Sequence, residues 1–155
     1  MYKINCDTAI CANGNCVRIE VIIRDSSRDV MLSALKTIVA GLSPSIVEAS
    51  AIHAGIKLAV ETGLLPAIVE SDSLSVVNLL LARQPICSEI CLVINDILEL
   101  KTLYGFSSFV FSLITSNRVA HSLVKMVIVY AIDVVLIEEV LPGIRLFVQK
   151  EPIFS

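Results

Sequence analysis

Apolar residues fall in two rhythms along this chain, and the change from one to the other near residue 43 predicts most of the architecture. Before it, apolar runs of strand length alternate with turn signals. The segment from about residue 2 to 10 leads through Asn13-Gly14-Asn15 into Val17 to Arg24, and Asp25-Ser26-Ser27-Arg28 turns that run into Val30 to Val39. Short β-branched runs bounded by Asn, Asp, Gly and Ser read as strands joined by hairpins. The first three elements are therefore predicted to be an antiparallel meander.

After residue 43 the period becomes helical. Ser43-Pro44 supplies a cap residue followed by proline at the first helical position, and Gly63 stands where a helix ends. Within the helix so bounded, ending near Thr62, Glu48, Ala51, Ile52, Gly55, Leu58 and Ala59 form one stripe, the face that should pack on a sheet. Pro66 introduces a short buried strand through Ala67-Ile68-Val69, ending near Ser71. Asp72 is then read as the cap of a helix to about Arg83, which Pro85 breaks. Ser88 to Leu103 repeats the helical period with Ile90, Val93, Ile94, Ile97, Leu98 and Leu100, Phe106 to Ile114 reads as a fifth strand, and Ser116 starts a last helix to about Tyr130. Three antiparallel strands, with two more added by helical crossovers, predict an α/β fold with a mixed five-stranded sheet and helices on both faces.

Composition narrows the picture. The chain has 155 residues, 55% of them hydrophobic, and no low-complexity stretch divides it, so residues 1–155 are expected to form a single domain. A formal net charge of −3 and the absence of any Lys/Arg block mean that overall charge does not draw it to nucleic acid or membrane. A polyanion would have to be bound locally. Five cysteines, Cys6, Cys11, Cys16, Cys87 and Cys91, lack C-x-x-C spacing, and no signal peptide precedes the first strand. Reduced thiols in an intracellular protein are the expectation. The apolar run Met126 to Ile137 is too short to cross a bilayer and contains Asp133.

Three carboxylates stand where so apolar a chain would not be expected to place charge: Asp7 inside the first strand, Glu48 on the sheet-facing stripe, and Asp72 at a strand's carboxyl end, where open α/β folds build their sites. Each has a plainer explanation. Asp72 is a good N-cap residue, and Glu48, placed in the first turn, would favour the helix dipole. Asp7 resists such an account, because Asp is depleted in strands and a buried carboxylate needs a partner charge or a metal. Together the three suggest one shared two-metal site. His53 and Lys57, read as lying opposite Glu48, are expected on a solvated surface. No phosphate-cradling glycine loop, zinc ligand set or Ser-His-Asp motif is present.

The residues Lys3-Ile4-Asn5-Cys6-Asp7, Val21-Ile22-Ile23-Arg24-Asp25-Ser26, Glu48-Ala49, Val69-Glu70-Ser71-Asp72-Ser73 and Asn117-Arg118-Val119-Ala120-His121-Ser122-Leu123 fall in order. In this the chain resembles the plant branch of type I ribonuclease H-like domains, the reverse transcriptase-like modules also found in retroelements. The resemblance covers about residues 3–130 and makes 131–155 a C-terminal extension. It implies the ribonuclease H-like fold and metal-dependent hydrolysis of the RNA strand of RNA-DNA hybrids. Two divalent cations, Mg²⁺ or else Mn²⁺, would flank the scissile phosphodiester, one activating water and the other stabilising the leaving 3′-oxygen. The resemblance gives Asp7 the bridging role and Glu48 and Asp72 the ion on the leaving-group side.

The chain also departs from that pattern. His121 occupies a catalytic position at which many ribonucleases H carry a fourth carboxylate. Imidazole is a poor Mg²⁺ ligand, so the water-activating ion should be held more weakly and Mn²⁺ should serve better. Arg18, Glu20 and Arg28 stand where glycines of the hairpins are expected, and Ser112-Leu113-Ile114-Thr115 replaces a basic loop, removing a phosphate contact. The alternative to the nuclease is therefore a catalytically weak or inactive relic of a retroelement domain that binds nucleic acid or protein.

Overall fold

The computed structural model describes residues 1–10, 14, 16–39, 41–82, 88–105, 108–111, 134–138 and 144–148. The meander is present as β1 (Tyr2–Ile10), β2 (Cys16–Arg24) and β3 (Val30–Val39). The β1–β2 register pairs Lys3 with Arg24 and Ile10 with Val17, and so is centred on the Asn13-Gly14 turn. The second turn is built on Asp25, whose Oδ1 accepts from the amides of Ser27 and Asp29 at 2.8 and 3.0 Å. Arg28 completes that turn with φ of 72°. A β-carbon makes this left-handed conformation costly, which is the physical content of finding arginine where glycine was expected.

Helix α1 (Pro44–Thr62) has the predicted ends: Ser43 Oγ accepts from the Ile46 amide at 3.4 Å, and Gly63 adopts φ 72°, ψ 19°. Leu64 N donates to Ala59 O at 2.9 Å, closing the C-terminal turn. The stripe faces the sheet as expected, with Ala51, Ile52, Leu58 and Ala59 all buried. Burying a side chain such as Ile52 or Leu58 contributes about 1.5–3 kcal/mol. Strand β4 (Ala67–Ser71), α2 (Leu74–Ala82), α3 (Ile90–Tyr104) and β5 (Ser108–Phe111) follow.

β4 runs parallel to β1 and β5 parallel to β4, which completes the expected five-stranded mixed sheet in the order β5-β4-β1-β2-β3. The sheet continues beyond β3. Two strands from the extension, β6 (Val134–Glu138) and β7 (Ile144–Val148), add antiparallel, β6 on β3 and β7 on β6. An apolar run beside the open edge of β3 is thereby taken up as strand. The three described helices share one core with alternate sheet residues, among them Ile4, Cys6, Ile19, Val21, Ile23, Leu32 and Val69 on the sheet and Ile52, Val77, Leu80, Ile94 and Ile97 on the helices. The helix expected from Ser116 to about Tyr130, including His121, lies outside the described residues. None of the described helices is long and apolar enough to cross a membrane.

The thiols differ in part from expectation. Cys6 and Cys91 are free, but Cys16 is disulfide-bonded to a partner outside the described residues.

Candidate metal centre

The parallel pairing of β1 and β4 ends with Cys6 opposite Ser71, so Asp7, still within β1 and paired with β2, comes beside Asp72, which follows the last residue of β4. Glu48 arrives from α1. What allows the helix so close is Gly55, two turns further along the same stripe, where an added β-carbon would stand 2.7 Å from Ile4 Cγ2 and 2.8 Å from Cys6 Sγ. These three elements bring one oxygen each of Asp7, Glu48 and Asp72 within 4.8 Å of one another. Asp7 is 5% exposed, and Glu48 and Asp72 are partly open.

Both plainer explanations fail against this geometry. Helix α2 begins at Leu74, and the carbonyl accepting its first amide, from Val77 at 3.0 Å, belongs to Ser73, so Ser73 rather than Asp72 occupies the cap position. The Asp72 carboxylate accepts no hydrogen bond among the described residues. Glu48 is the fifth residue of α1, past the first turn, which holds no acidic residue. The dipole effect fades within that turn.

The electrostatics of Glu48 are those of a buried acid set among other acids. Burial pushes Glu48 up from 4.5 to about 7; a hydrogen bond from Thr8 Oγ1 to Glu48 Oε1, 2.6 Å, opposes the shift, and the charges of Asp72 and Asp7 add to it. Glu48 Oε2 is buried with no hydrogen-bond partner. Cys6, beneath the acids, has its thiol pushed upward by burial first and then by Glu48, Asp7 and Asp72, so it stays neutral in the ion-free protein. Asp7 Oδ1 accepts from the Thr8 amide at 2.8 Å, and three clustered acids of one sign, one with an unpartnered buried oxygen, form an all-oxygen set that suits a hard dication such as Mg²⁺ or Mn²⁺.

Two neighbours were not singled out as site residues. Thr8 holds one Glu48 oxygen, and nothing in its sequence setting announced that role. Glu20 is 1% exposed and directly opposite Asp7 across the β1–β2 ladder; burial and then the Asp7 charge raise it from 4.5 to about 8. A signal for Glu20 did exist, because a hairpin centred on Asn13-Gly14 sets residue 7 against residue 20. Elsewhere the expected solvated surface needs correction. His53 is half-buried in a cavity of about 250 Å³ that Lys36 and Lys57 also line, and its pKa is lowered, by burial first, with the two lysines lowering it further and Asp96 opposing. The cavity lies between α1 and the sheet, because Ile19 and Ile38 of β2 and β3 are among its walls.

Residues 5–127 match the model of the reverse transcriptase-like family. The chain belongs to that family. No curated protein is detectably similar in sequence. Among solved structures, ribonuclease H1 of the halophilic archaeon Halobacterium salinarum superposes with a TM-score of 0.69 at 17% identity, over 79% of this chain and 92% of that one. The N-terminal RNase H domain of a Mycobacterium tuberculosis protein, solved as a fusion with maltose binding protein, gives 0.69 at 18% identity, over 84% and 94%. LC11-RNase H1, solved in complex with an RNA/DNA hybrid, gives 0.67 at 18% identity, over 79% and 93%. At such identities the likeness establishes the RNase H fold.

Proposed function

We propose that this chain is a metal-dependent endonuclease that hydrolyses the RNA strand of RNA-DNA hybrids. The observation that carries the reading is the convergence of Asp7, Glu48 and Asp72 within 4.8 Å at the point where the parallel pairing of β1 and β4 ends. Membership of the reverse transcriptase-like family and a fold shared with a ribonuclease H1 solved on a hybrid support it. Divalent ions, when bound, would supply an activated water and neutralise charge developing on the phosphodiester. The chain's part is to hold them. Asp7, fixed on a central strand, would hold them together with Glu48, whose Oε2 is unpartnered while Thr8 orients the other oxygen, and with the partly open Asp72. By the family resemblance alone, His121 would serve the water-activating ion, and Mn²⁺ would then be the better cofactor.

The test is cleavage of a hybrid labelled on its RNA strand, in Mg²⁺ and in Mn²⁺, by the parent and by Asp72→Asn. Cleavage by the parent alone, faster in Mn²⁺, is the expected result. Equal cleavage by both proteins would mean contamination or a different site. Two observations favour a second reading, a relic that binds nucleic acid or protein without turnover: Thr8 occupies one oxygen of Glu48, and the buried Glu20 stands where a glycine was expected. Hybrid binding without cleavage in either ion would select it.

A further inference from the structure

Glu20 is the one acidic side chain of the described core that the centre leaves unexplained. The antiparallel register seats it directly across from Asp7, so the two acids share one face of the sheet on adjacent strands. Directly opposed like charges destabilise a ladder. Glu20 is 1% exposed, and both its carboxylate oxygens are buried with no hydrogen-bond partner among the described residues. Lys3 pairs with Glu70 at 3.0 Å rather than with Glu20, and Asn5 Nδ2 is likewise committed to Glu70 at 2.8 Å. A carboxylate removed from water with neither donor nor counter-ion is unstable as an anion, so it either keeps a proton or is joined by a cation.

We propose that Glu20 is a fourth carboxylate of the metal centre, sharing a divalent cation with Asp7 on the β2 side of that residue. The inference rests on the reading of Asp7, Glu48 and Asp72 as a metal centre. Three carboxylates facing two dications leave an excess of positive charge, whereas four balance them. The arrangement also accounts for a like-charged pair in the middle of a ladder, because an ion between the two acids turns repulsion into shared ligation. Strand placement fixes the Glu20 backbone, and the oxygen donors match the same hard cations that the other acids select.

The experiment is a titration of the full chain with Mn²⁺, free ion being counted by electron paramagnetic resonance, for the parent, Glu20→Gln and Asp72→Asn, with circular dichroism confirming the fold of each. The expected result is that Glu20→Gln loses one of the ions the parent binds, its affinity for that ion falling on the order of tenfold or more, while its ion-free melting temperature holds or rises. Unchanged ion number and affinity in Glu20→Gln, with binding lost in Asp72→Asn, would overturn the role of Glu20 and leave the three-acid centre standing. Absence of Mn²⁺ binding by the parent would overturn both. If Glu20→Gln does not fold, Glu20→Ala is read in the same titration by the same criteria.

Discussion

At the scale of single residues, the three acids owe their placement to different neighbours, and their substitutions should separate ion binding from stability. Asp72 caps nothing, so Asp72→Asn is expected to change unfolding free energy by no more than about 0.5 kcal/mol while abolishing divalent-ion binding, as urea denaturation and Mn²⁺ titration would show. The pH dependence follows from Glu48 and Glu20, raised from 4.5 to about 7 and about 8. Both are held above their unfolded values, so the ion-free native state binds more protons than the unfolded chain between those limits. The stability they contribute is fully present below about pH 4.5 and is lost as pH rises through 7 to 8. Melting temperatures in a chelator should therefore fall from pH 5 to pH 8, and Mn²⁺ should restore them at the alkaline end; a rise with pH in the chelator would contradict the burial of these acids. Asp7, Glu48 and Asp72 were legible in the sequence because each broke a local rule or sat at a privileged position. Thr8 was not, since its role exists only once α1 meets β1, and Glu20 needed the hairpin register to be followed through to its cross-strand partner.

At the scale of elements, Gly55 and Arg28 mark where the backbone is under most demand. Gly55→Ala places a β-carbon against Ile4 and Cys6, buried atoms of a strand with little room to move. A loss of about 1–3 kcal/mol is expected, measurable by denaturant unfolding, together with weaker ion binding as α1 carries Glu48 away from Asp7. Arg28→Gly relieves a left-handed residue at the β2–β3 turn and should stabilise by about 1 kcal/mol; no gain would indicate that the Arg28 side chain makes compensating contacts. The ends of α1 were readable from Ser43-Pro44 and Gly63 because capping is local chemistry. The start of α2 was misjudged by one residue because Ser71, Asp72 and Ser73 are all competent caps, and the pairing of β4 with β1 decides among them.

At the scale of the whole molecule, the order of meander, helix, strand, helices and strand was legible because each switch of hydrophobic period coincides with a cap or a breaker. The two added strands were not, because a short apolar run does not declare whether it joins a sheet edge. β6 covers the β3 edge over Leu32 to Leu35. Removal of residues 131–155 should uncover that edge and produce concentration-dependent association in light scattering; a stable monomer would show that the edge is protected in another way. In the reading proposed above, Asp7, Glu48 and Asp72 together hold divalent ions. Crystals soaked in Mn²⁺ test it most directly through anomalous scattering at the manganese edge. A manganese peak within ligand distance of all three carboxylates is the expected result, and an intact fold with no peak there would contradict the account.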